Sequence, residues 1–522
     1  MIVITSAAYV DSELQSEFGR LPPAFLPVGN RRLFLRQFAV LQARFPGEAI
    51  YLSLPESYAI PHRDVRALEA QAVQVLRVPD GLTLADSVLF SINTIGNYGE
   101  GLRILHGDTL IEDLPPAWDC LCVAESADDY DWHVDQGPDA GTRVWCGYFA
   151  FHSVGRLAKC LVAARGAFEK AVSAYDEACY LERVHTDKWS DFGHVNTFYR
   201  SRAQITTQRA FNDLAIGDRR VRKTGRPAEK IKAEAQWFGA LPPRLRVYAP
   251  QLLDHGPVAP DGYGYELEYL CMAPLNELYV HGCNSTAFWS RVFKHLADWL
   301  AACQSAVPLS DSQRQVVAED SRGMLAEKTR ARMNAYADGC GLSVSAPTRL
   351  NGRTLPSLSD ILDRCIEAAA RVPLVPGVMH GDLCLSNILF DTRSDCIKVI
   401  DPRGLNFRGE ARLVGDLRYD LAKLAHSVLG LYDYIVADAF DIDEGTGLDF
   451  QLRIHADEDA AAIQKLFAGL PLLNGMTARH VAPITVMLFL SMLPLHQDTP
   501  RRQRAMLANA LRLYELMAHM EH

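Results

Sequence analysis

The sequence lacks the cysteine spacing that marks a structural metal site or a disulfide framework. Its 12 cysteines are scattered along 522 residues, and Cys120 and Cys122 form the one close pair. No CxxC motif occurs, and no second pair is present to complete a zinc site. We therefore expect free thiols in a reducing compartment and a cytoplasmic location.

Excess positive charge and long apolar runs are also missing. The formal net charge is −10, so no surface for binding nucleic acid is expected. The longest apolar run, residues 484–495, is too short to span a bilayer and predicts a core helix. The first eight residues lack the basic start of a signal peptide. We expect neither nucleic acid nor membrane as a partner, and the sequence is compatible with a homo-oligomer.

No linker rich in proline, glycine or serine divides the chain, and no internal repeat is present. A chain of 522 residues is nevertheless too long for one hydrophobic core. The motifs described below favour two domains, residues 1–205 and residues 206–522.

The most informative motif lies in the second domain. Residues 380–390 read HGDLCLSNILF, and residues 397–404 read IKVIDPRG. Phosphoryl transfer needs a carboxylate near the attacking hydroxyl, and an amide and a second carboxylate to hold Mg²⁺. Asp382, Asn387 and Asp401 supply those groups. Two short strands paired as a hairpin would bring the three side chains together, whereas a polar turn without function is the alternative.

This HGDxxxxN pattern, followed by an aspartate after a second strand, resembles the aminoglycoside phosphotransferase and choline kinase family. The resemblance implies an α+β, protein-kinase-like fold that uses ATP and Mg²⁺. It also implies that Asp382 is the catalytic base and that Asn387 and Asp401 bind the metal.

A kinase also needs a lysine for the nucleotide phosphates and a glutamate to hold it. Lys223 ends a strand-like segment, and Glu234 follows eleven residues later in a segment with helical spacing. By resemblance these two residues take the roles of phosphate-binding lysine and helix glutamate. Arg222 and Lys230 are the rival cations.

The nucleotide-binding turn is less well marked. Residues 211–218 contain one glycine, where protein kinases carry several. Residues 263–270 alternate like a strand and resemble the hinge between the two kinase lobes, so Glu268 to Cys271 are predicted to contact adenine.

Two further features concern the rest of the kinase site. The segment GDLRYDLAK, residues 415–423, is similar to one that buttresses the catalytic loop in the family. Asp416 is therefore expected to cap a helix, and Asp416 and Asp420 to act as supports or substrate contacts. Trp289 and Trp299 are candidates for a cation-binding aromatic wall, although tryptophans in a helix core are more common.

Strand and helix patterns alternate in the first domain. Strands are expected near residues 1–6, 50–54 and 103–108, and helices near 31–44 and 84–97. This order predicts an α/β, Rossmann-like domain with a mostly parallel sheet and a site at the carboxyl ends of its strands.

Several segments of this domain resemble sugar-phosphate nucleotidyltransferases. They are LPPAFLPVGN at 21–30, HGDTLI at 106–111, WCGYFAF at 145–151 and WSDFGH at 189–194. The resemblance implies that Asp108 and Asp191 bind Mg²⁺, for which hard carboxylate ligands are suited.

The sequence departs from that family at the nucleotide phosphates. Active members open with a glycine-rich GxGTR loop after the first strand, whereas residues 5–10 contain no glycine. Arg20, Arg31 and Arg32 are candidates to compensate. The alternative is a degenerate nucleotidyltransferase fold that serves as a scaffold or regulatory module.

The two domains suggest consecutive reactions. A kinase makes a phosphate monoester, and a nucleotidyltransferase joins that monoester to a nucleotide. We expect a bifunctional enzyme that activates a sugar or amino alcohol for capsule or other surface polysaccharide, using ATP and a second nucleoside triphosphate, with CTP or UTP favoured. The alternative is a small-molecule kinase whose first domain acts as a sensor or scaffold.

Overall fold

The computed structural model describes residues 1–126, 128, 130, 132–135, 143–205, 212–217, 219–445 and 447–520. The chain divides into two compact units. The first comprises Met1–Ile205 with His281–Cys283, and the second comprises Thr206–Val280 with Asn284–His522.

The first unit alternates strands and helices. Its strands are β1 (Ile2–Thr5), β2 (Ile50–Pro55), β3 (Gln74–Val78), β4 (Leu102–His106), β5 (Thr109–Ile111), β6 (Cys120–Glu125), β7 (Arg143–Phe151), β8 (Glu182–His185) and β9 (Trp189–Asp191). Its helices are α1 (Ser12–Phe18), α2 (Leu33–Arg44), α3 (His62–Ala70), α4 (Leu84–Ile95), α5 (Val154–Ala164), α6 (Phe168–Cys179) and α7 (Val195–Gln204).

Seven of these strands form one sheet, in the order β3-β2-β1-β4-β7-β6-β8. Strands β3, β2, β1 and β4 run parallel to one another, β7 is antiparallel to β4 and β6, and β8 is parallel to β6. The predicted mostly parallel sheet is therefore confirmed. Strand β5 pairs separately with β9, which places residue 108 beside the end of β9.

Helices α4, α5 and α6 pack their apolar faces against this sheet, where Val88, Leu157 and Phe168 join Ile104 and Phe149 in one buried cluster. Local signals fix the ends of α4. Thr83 caps its N-terminus by accepting a hydrogen bond from the Asp86 backbone N–H. Gly96 ends it with φ +71°, a left-handed conformation that glycine adopts without strain. The apolar spacing and these caps explain why the sequence predicted this helix.

The second unit begins with strands and continues mainly as helices. Its strands are β10 (Asn212–Gly217), β11 (Arg220–Gly225), β12 (Leu252–Val258), β13 (Gly262–Glu268), β14 (Ala273–Pro274), β15 (Thr348–Leu350), β16 (Arg353–Leu355), β17 (Pro376–Val378), β18 (Ile388–Asp391), β19 (Cys396–Val399), β20 (Val414–Asp416), β21 (Phe440–Glu444) and β22 (Asp449–Ile454). Its helices are α8 (Ala228–Ala240), α9 (Leu275–His281), α10 (Thr286–Ser305), α11 (Asp311–Arg322), α12 (Lys328–Cys340), α13 (Leu358–Arg371), α14 (Leu417–Val428), α15 (Tyr432–Val436), α16 (Glu458–Gly469), α17 (Ala482–Met492) and α18 (Pro500–Met520). A π-helical turn, Gly323–Glu327, joins α11 to α12.

Strands β10, β11, β13 and β12 form a four-stranded antiparallel sheet in that order. Helix α8 packs on this sheet through Ile231, Ala235 and Phe238, which are all buried. Strands β18 and β19 pair as an antiparallel hairpin, so the two-strand arrangement predicted around the HGD motif is confirmed.

The longest apolar run of the sequence lies in the helical part of the second unit. Residues 478–496 are long and apolar enough to cross a membrane by length and composition, but 67% of this stretch is buried inside the fold. Helix α17 within it is buried nearly all round, as expected for the predicted core helix.

Candidate active site

A buried carboxylate holds the backbone of the predicted catalytic loop. Asp420, on α14, accepts hydrogen bonds from the backbone N–H groups of His380 at 2.8 Å and Gly381 at 2.7 Å. Gly381 has φ +78°, a conformation that other residues rarely adopt. Burial raises the pKa of Asp420 to about 7, although both hydrogen bonds lower it. Asp420 thus acts as a support of the loop.

Hydrogen bonds inside the loop bring Asp382 and Asn387 together. Asn387 Nδ2 donates to the backbone oxygen of Asp382 at 2.9 Å and lies 3.3 Å from its carboxylate. The buried His380 ring contacts the backbone oxygen of Ile400 at 2.9 Å. Because burial lowers the pKa of His380 to about 4, the ring is neutral at pH 7 and its Nε2–H donates this bond. These contacts tie the loop to the segment that leads into Asp401.

A lysine that the sequence analysis did not single out lies beside the predicted base. Lys423 Nζ is 2.7 Å from Asp382 Oδ1. Burial alone would raise the pKa of Asp382, but the charge and hydrogen bond of Lys423, together with the charge of Arg403, hold this pKa well below its usual range. The available signal was position, because Lys423 follows Asp420 by three residues on one helix and so shares its face.

Lys223 lies between two carboxylates. Its Nζ is 2.6 Å from Glu234 Oε2 and also contacts Asp401 Oδ1. Tyr265, opposite Lys223 on β13, donates its hydroxyl to Glu234 at 3.1 Å. Burial would lower the pKa of Lys223, but Asp401 and Glu234 raise it, so this lysine is charged. The structure thus joins the strand lysine, the helix glutamate and the distant aspartate in one group.

The rival cations are placed differently. Arg222, on β11, is exposed. Lys230 lies 4.0 Å from Glu234 Oε1, and its side chain is 52% exposed. Neither is held between carboxylates as Lys223 is, so the geometry favours Lys223 for the phosphate-binding role.

A close backbone approach positions the segment after Asp401. Asp401 itself has φ +59°. At Gly404, also left-handed, a Cβ atom would lie 2.4 Å from the backbone oxygen of Ala233, next to Glu234 on α8. Any side chain at position 404 would push this segment away from α8. Glycine therefore allows the loop that carries Asp401 to pack against the helix that carries Glu234.

The oxygen atoms of this site fit a magnesium ion. The Asp401 side chain is 31% exposed. Asn387 donates through its nitrogen, and its amide oxygen accepts a long hydrogen bond of 3.4 Å from the Ser386 hydroxyl. One carboxylate and one amide oxygen are hard ligands, and Mg²⁺ takes few protein ligands beside phosphate oxygens and water. Within the described residues no group of three or more His, Cys, Asp or Glu forms a metal cage.

The predicted adenine segment leaves β13 as the chain passes to β14. The Glu268 backbone N–H already donates to Gln251 at 3.0 Å, and its carboxylate accepts from the Gln251 backbone N–H. Tyr269 donates to Arg219. The Leu270 backbone oxygen accepts from the Met272 N–H at 2.9 Å, and Cys271 is exposed, so an adenine contact in this segment stays a prediction. Of the predicted glycine-poor turn, residues 211 and 218 lie outside the described part of the chain, and 212–217 form β10.

Two other predictions have clear outcomes. Asp416 caps α14 by accepting from the Arg418 backbone N–H at 3.1 Å, and it forms a buried ion pair with the Arg418 guanidinium at 2.7 Å. It is therefore a structural support. Trp289 and Trp299 are buried in α10, with Trp299 packed on Tyr248, so they form no cation-binding wall.

In the first unit, Asp108 and Asp191 lie side by side. A Cβ atom at Gly193 would be 2.7 Å from Asp108 Oδ2 and 3.4 Å from Asp191 Oδ1, so both carboxylates flank this glycine. The Phe192 backbone N–H donates to the backbone oxygen of Asp108 at 2.8 Å. Burial, followed by repulsion from Asp191, raises the pKa of Asp108 to about 6. Two close carboxylates with this mutual repulsion suit a divalent cation.

The side chains around Asp191 fix its orientation. His194 Nδ1 lies 3.1 Å from Asp191 Oδ2, and the Thr197 hydroxyl also donates to that oxygen. The hydrogen bond to Asp191 raises the pKa of His194. The His194 ring stacks on Tyr130, with 4.0 Å between ring centroids. Asp191 Oδ1 remains on the side that faces Asp108.

The three arginines expected to replace the missing glycine loop lie in different surroundings. Arg32 is buried, donates to the backbone oxygen of Phe25 at 2.7 Å and pairs with Asp64 at 2.8 Å. It is therefore a structural residue, and its predicted role at the phosphates is corrected. Arg20 is exposed and lies over the Tyr9 ring at 3.8 Å, and Arg31 is exposed. These two remain candidates for phosphate binding.

Comparison with known families agrees with the second site. Residues 215–449 match the model of the phosphotransferase enzyme family, APH. The chain carries a phosphotransferase-family domain. This domain contains every residue of the Lys223, Glu234, Asp382, Asn387 and Asp401 set, and the resemblance drawn from its motifs is confirmed.

Several solved structures are similar to parts of the chain. Aminoglycoside phosphotransferase APH(4)-Ia, as a thermostable mutant, is 14% identical with a TM-score of 0.38, and the match covers 60% of this chain and 93% of that chain. A nucleoside-diphosphate-sugar pyrophosphorylase from Vibrio cholerae is 13% identical with a TM-score of 0.33, covering 39% and 99%. The inositol-1-phosphate CTP transferase from T. maritima is 16% identical with a TM-score of 0.30, covering 39% and 94%. No curated protein matches the chain.

Proposed function

We propose that the second unit transfers the γ-phosphoryl group of ATP to a hydroxyl of a small metabolite. The observation that carries this proposal is the group formed by Lys223, Glu234 and Asp401, placed in one domain with the Asp382–Asn387 loop. A kinase needs these elements and little else from the protein. The match of residues 215–449 to a phosphotransferase family supports the same reaction.

Each residue has a defined task in this reaction. The substrate oxygen attacks the γ-phosphorus, the bond to the β–γ bridging oxygen breaks, and ADP leaves with that oxygen. Asp382, ionised because Lys423 lowers its pKa, accepts the hydrogen bond of the attacking hydroxyl and takes its proton. Lys223 binds the phosphates of ATP, and Glu234 orients Lys223. Asn387 and Asp401 would hold Mg²⁺, which neutralises phosphate charge when it is bound.

The first unit is proposed to use the kinase product. Asp108 and Asp191 would hold Mg²⁺ while the new phosphate monoester attacks the α-phosphorus of a second nucleoside triphosphate and pyrophosphate leaves. CTP or UTP is the favoured nucleotide. The product would be a nucleoside-diphosphate-activated precursor for surface polysaccharide, made in the cytoplasm. The paired Asp108 and Asp191 carboxylates support this step.

A second candidate function follows from the loop after β1. Ser6, at the position where a glycine-rich loop would start, accepts a hydrogen bond from the Ala24 backbone N–H at 3.0 Å and donates its own N–H to Ser53 at 3.1 Å. This N–H is therefore not free to bind phosphate. The engagement of this N–H favours the alternative function, in which the first unit senses a nucleotide or sugar phosphate and the second unit alone is catalytic.

One experiment tests the kinase and separates the two candidates. The full chain is incubated with ATP, Mg²⁺ and a panel of sugars, sugar derivatives and amino alcohols, and products are identified by mass. A mass gain of one phosphoryl group on one acceptor, absent in Asp382→Asn, establishes the kinase. Pyrophosphate release after addition of CTP or UTP establishes the second step. ATP-independent mass gain, or no gain on any acceptor, contradicts the kinase proposal.

A further inference from the structure

Four basic side chains converge near Asp382. Lys328 and Arg332 lie four residues apart on α12 and therefore share one face of that helix. Arg403 follows Asp401 by two residues, and its backbone N–H donates to the His380 oxygen at 2.8 Å. Lys423 pairs with Asp382 at 2.7 Å. The strongest charge interactions of Lys328 are with Arg403, Arg332, Lys423 and Asp382, so all four cations belong to one cluster.

Carboxylates act on two of these four cations: Asp382 pairs with Lys423, and the charges of Asp382 and Asp420 raise the pKa of Arg403. Across the described parts of the chain, however, no carboxylate lies within 4.0 Å of Lys328, Arg332 or Arg403. Arg332 instead donates to the Ser491 backbone oxygen at 3.1 Å. Arg403 lies over the Tyr419 ring, 5.1 Å from its centroid, and contacts the Met324 sulfur at 3.0 Å.

Two members of the cluster, Lys328 and Arg332, lie in electrostatically unfavourable surroundings. All of its members are partly buried, where like charges repel more strongly than in water. Burial, followed by repulsion from Arg403, Arg332 and Lys423, lowers the pKa of Lys328 to about 7. Burial and Arg403 also lower the pKa of Arg332. A bound anion would relieve this repulsion, whereas a bound cation would add to it.

The cluster is distinct from the residues assigned to the phosphates of ATP. Lys223 interacts most strongly with Asp401 and Glu234, on the proposed metal side of the site. Lys328 interacts with Asp382 and Lys423, on the side of the proposed base. The hydroxyl of the acceptor must approach Asp382. Charged groups on the acceptor would therefore lie close to this cluster.

We propose that the phosphoryl acceptor carries an anionic group, a carboxylate or a phosphate monoester, and that Lys328, Arg332 and Arg403 bind it. The proposal rests on the kinase function proposed above and narrows its substrate class. It disfavours amino alcohols, because their ammonium group would add to the positive charge of this cluster. Trp289 and Trp299 cannot offset this repulsion, because both are buried in α10.

A matched set of hexoses separates the alternatives, since glucose is neutral, glucosamine is cationic, glucuronate is a carboxylate and glucose 6-phosphate is a phosphate monoester. Binding to the full chain is measured by calorimetry with saturating AMP-PNP and Mg²⁺, so that the nucleotide site is already filled. We expect glucuronate or glucose 6-phosphate to bind about tenfold or more tightly than glucose, and glucosamine to bind most weakly. The better of the two anions identifies the recognised group.

Charge reversal provides the second arm. The Lys328→Glu/Arg332→Glu double variant should lose the preference for anions and gain affinity for glucosamine. Lys465→Glu, at an exposed lysine of α16, should keep the wild-type order. Unchanged AMP-PNP affinity and melting temperature show that the double variant is folded, and the milder Lys328→Gln replaces it if it is not.

Three outcomes overturn the proposal: glucose or glucosamine binds best, none of the four hexoses binds, or the anion preference survives in a folded charge-reversed or Lys328→Gln variant. Failure of the kinase proposal is seen separately, because the binding assay needs no turnover. A protein that binds anions through Lys328 but never transfers phosphate to any acceptor would refute the kinase function and retain the anion site.

Discussion

Lys423 Nζ lies 2.7 Å from a carboxylate oxygen of Asp382, so the residue proposed to receive the substrate proton is itself held by a cation. This pair explains how Asp382 can remain ionised although burial opposes its charge. An acid with so low a pKa is a weak base in the ground state. Its main contribution would be to orient the attacking hydroxyl.

The first prediction concerns this orientation. Asp382→Asn should reduce phosphoryl transfer by about 10²–10⁴-fold, because the amide accepts a hydrogen bond poorly in place of the carboxylate and cannot take the proton. Steady-state ADP formation with an identified acceptor measures the loss. Asp395→Asn, at a half-exposed aspartate of the β18–β19 turn, is the matched control. Wild-type turnover in Asp382→Asn would remove this residue from the mechanism.

A second prediction uses the ion pair itself. Lys423→Met should raise the pKa of Asp382, because the cation that stabilises its charge is gone. Transfer requires the ionised carboxylate, so activity in the variant should fall at a higher pH than in wild type as the solution is acidified. The acid limb of kcat/KM against pH measures this shift. An acid limb at the same pH as in wild type would contradict it.

Third, the register of β11 can be tested with neighbouring cations. Lys223→Met should lower kcat/KM for ATP by about 10²-fold or more, because the lysine neutralises charge that builds up on the phosphates. Arg222→Met removes an exposed cation one position away and should change little. A larger loss in Arg222→Met than in Lys223→Met would place the strand one residue out of register.

Fourth, Asp420→Asn should weaken the catalytic loop. The amide keeps one acceptor oxygen for the two backbone N–H groups of His380 and Gly381 and turns its NH₂ group toward the other. Leaving one buried N–H unsatisfied costs about 1–3 kcal/mol of folding free energy, and kcat should fall as the loop loosens. Denaturant unfolding compares the variant with Asp363→Asn, whose side chain is 55% exposed. Equal stability of the two variants would refute the role of Asp420.

The fifth prediction addresses the first unit. Asp108→Ala should abolish pyrophosphate release from CTP or UTP and the phosphorylated acceptor, while kinase activity is kept. Two carboxylates are needed to hold the cation, and Asp191 alone would leave it weakly bound. Glu69→Ala, on the exposed face of α3, is the control. No pyrophosphate release in wild type with any nucleoside triphosphate would favour the sensor function instead.

Local patterns in the sequence predicted much of the fold. Helical stretches between the strand-like segments marked α2 and α4, and β1, whose residues are all buried, followed from a continuous apolar run. The spacing in HGDxxxxN also predicted the Asp382–Asn387 pair, because a tight turn between two strands allows few arrangements of five residues. These features depend on neighbours in the chain, which a single sequence displays directly.

Other features were decided by tertiary structure. Arg32 carries the same charge as Arg20 and Arg31, but packing buried it against Asp64. Trp289 and Trp299 are buried because neighbouring elements pack against α10. The basic cluster joins segments that are far apart in sequence, and no local pattern predicts it. Its members are Lys328, Arg332, Arg403 and Lys423. Charge and burial act through space. The sequence alone therefore predicted the base, the metal ligands and the phosphate-binding lysine, whereas only the fold brought Lys423 to Asp382 and set the electric field around that carboxylate.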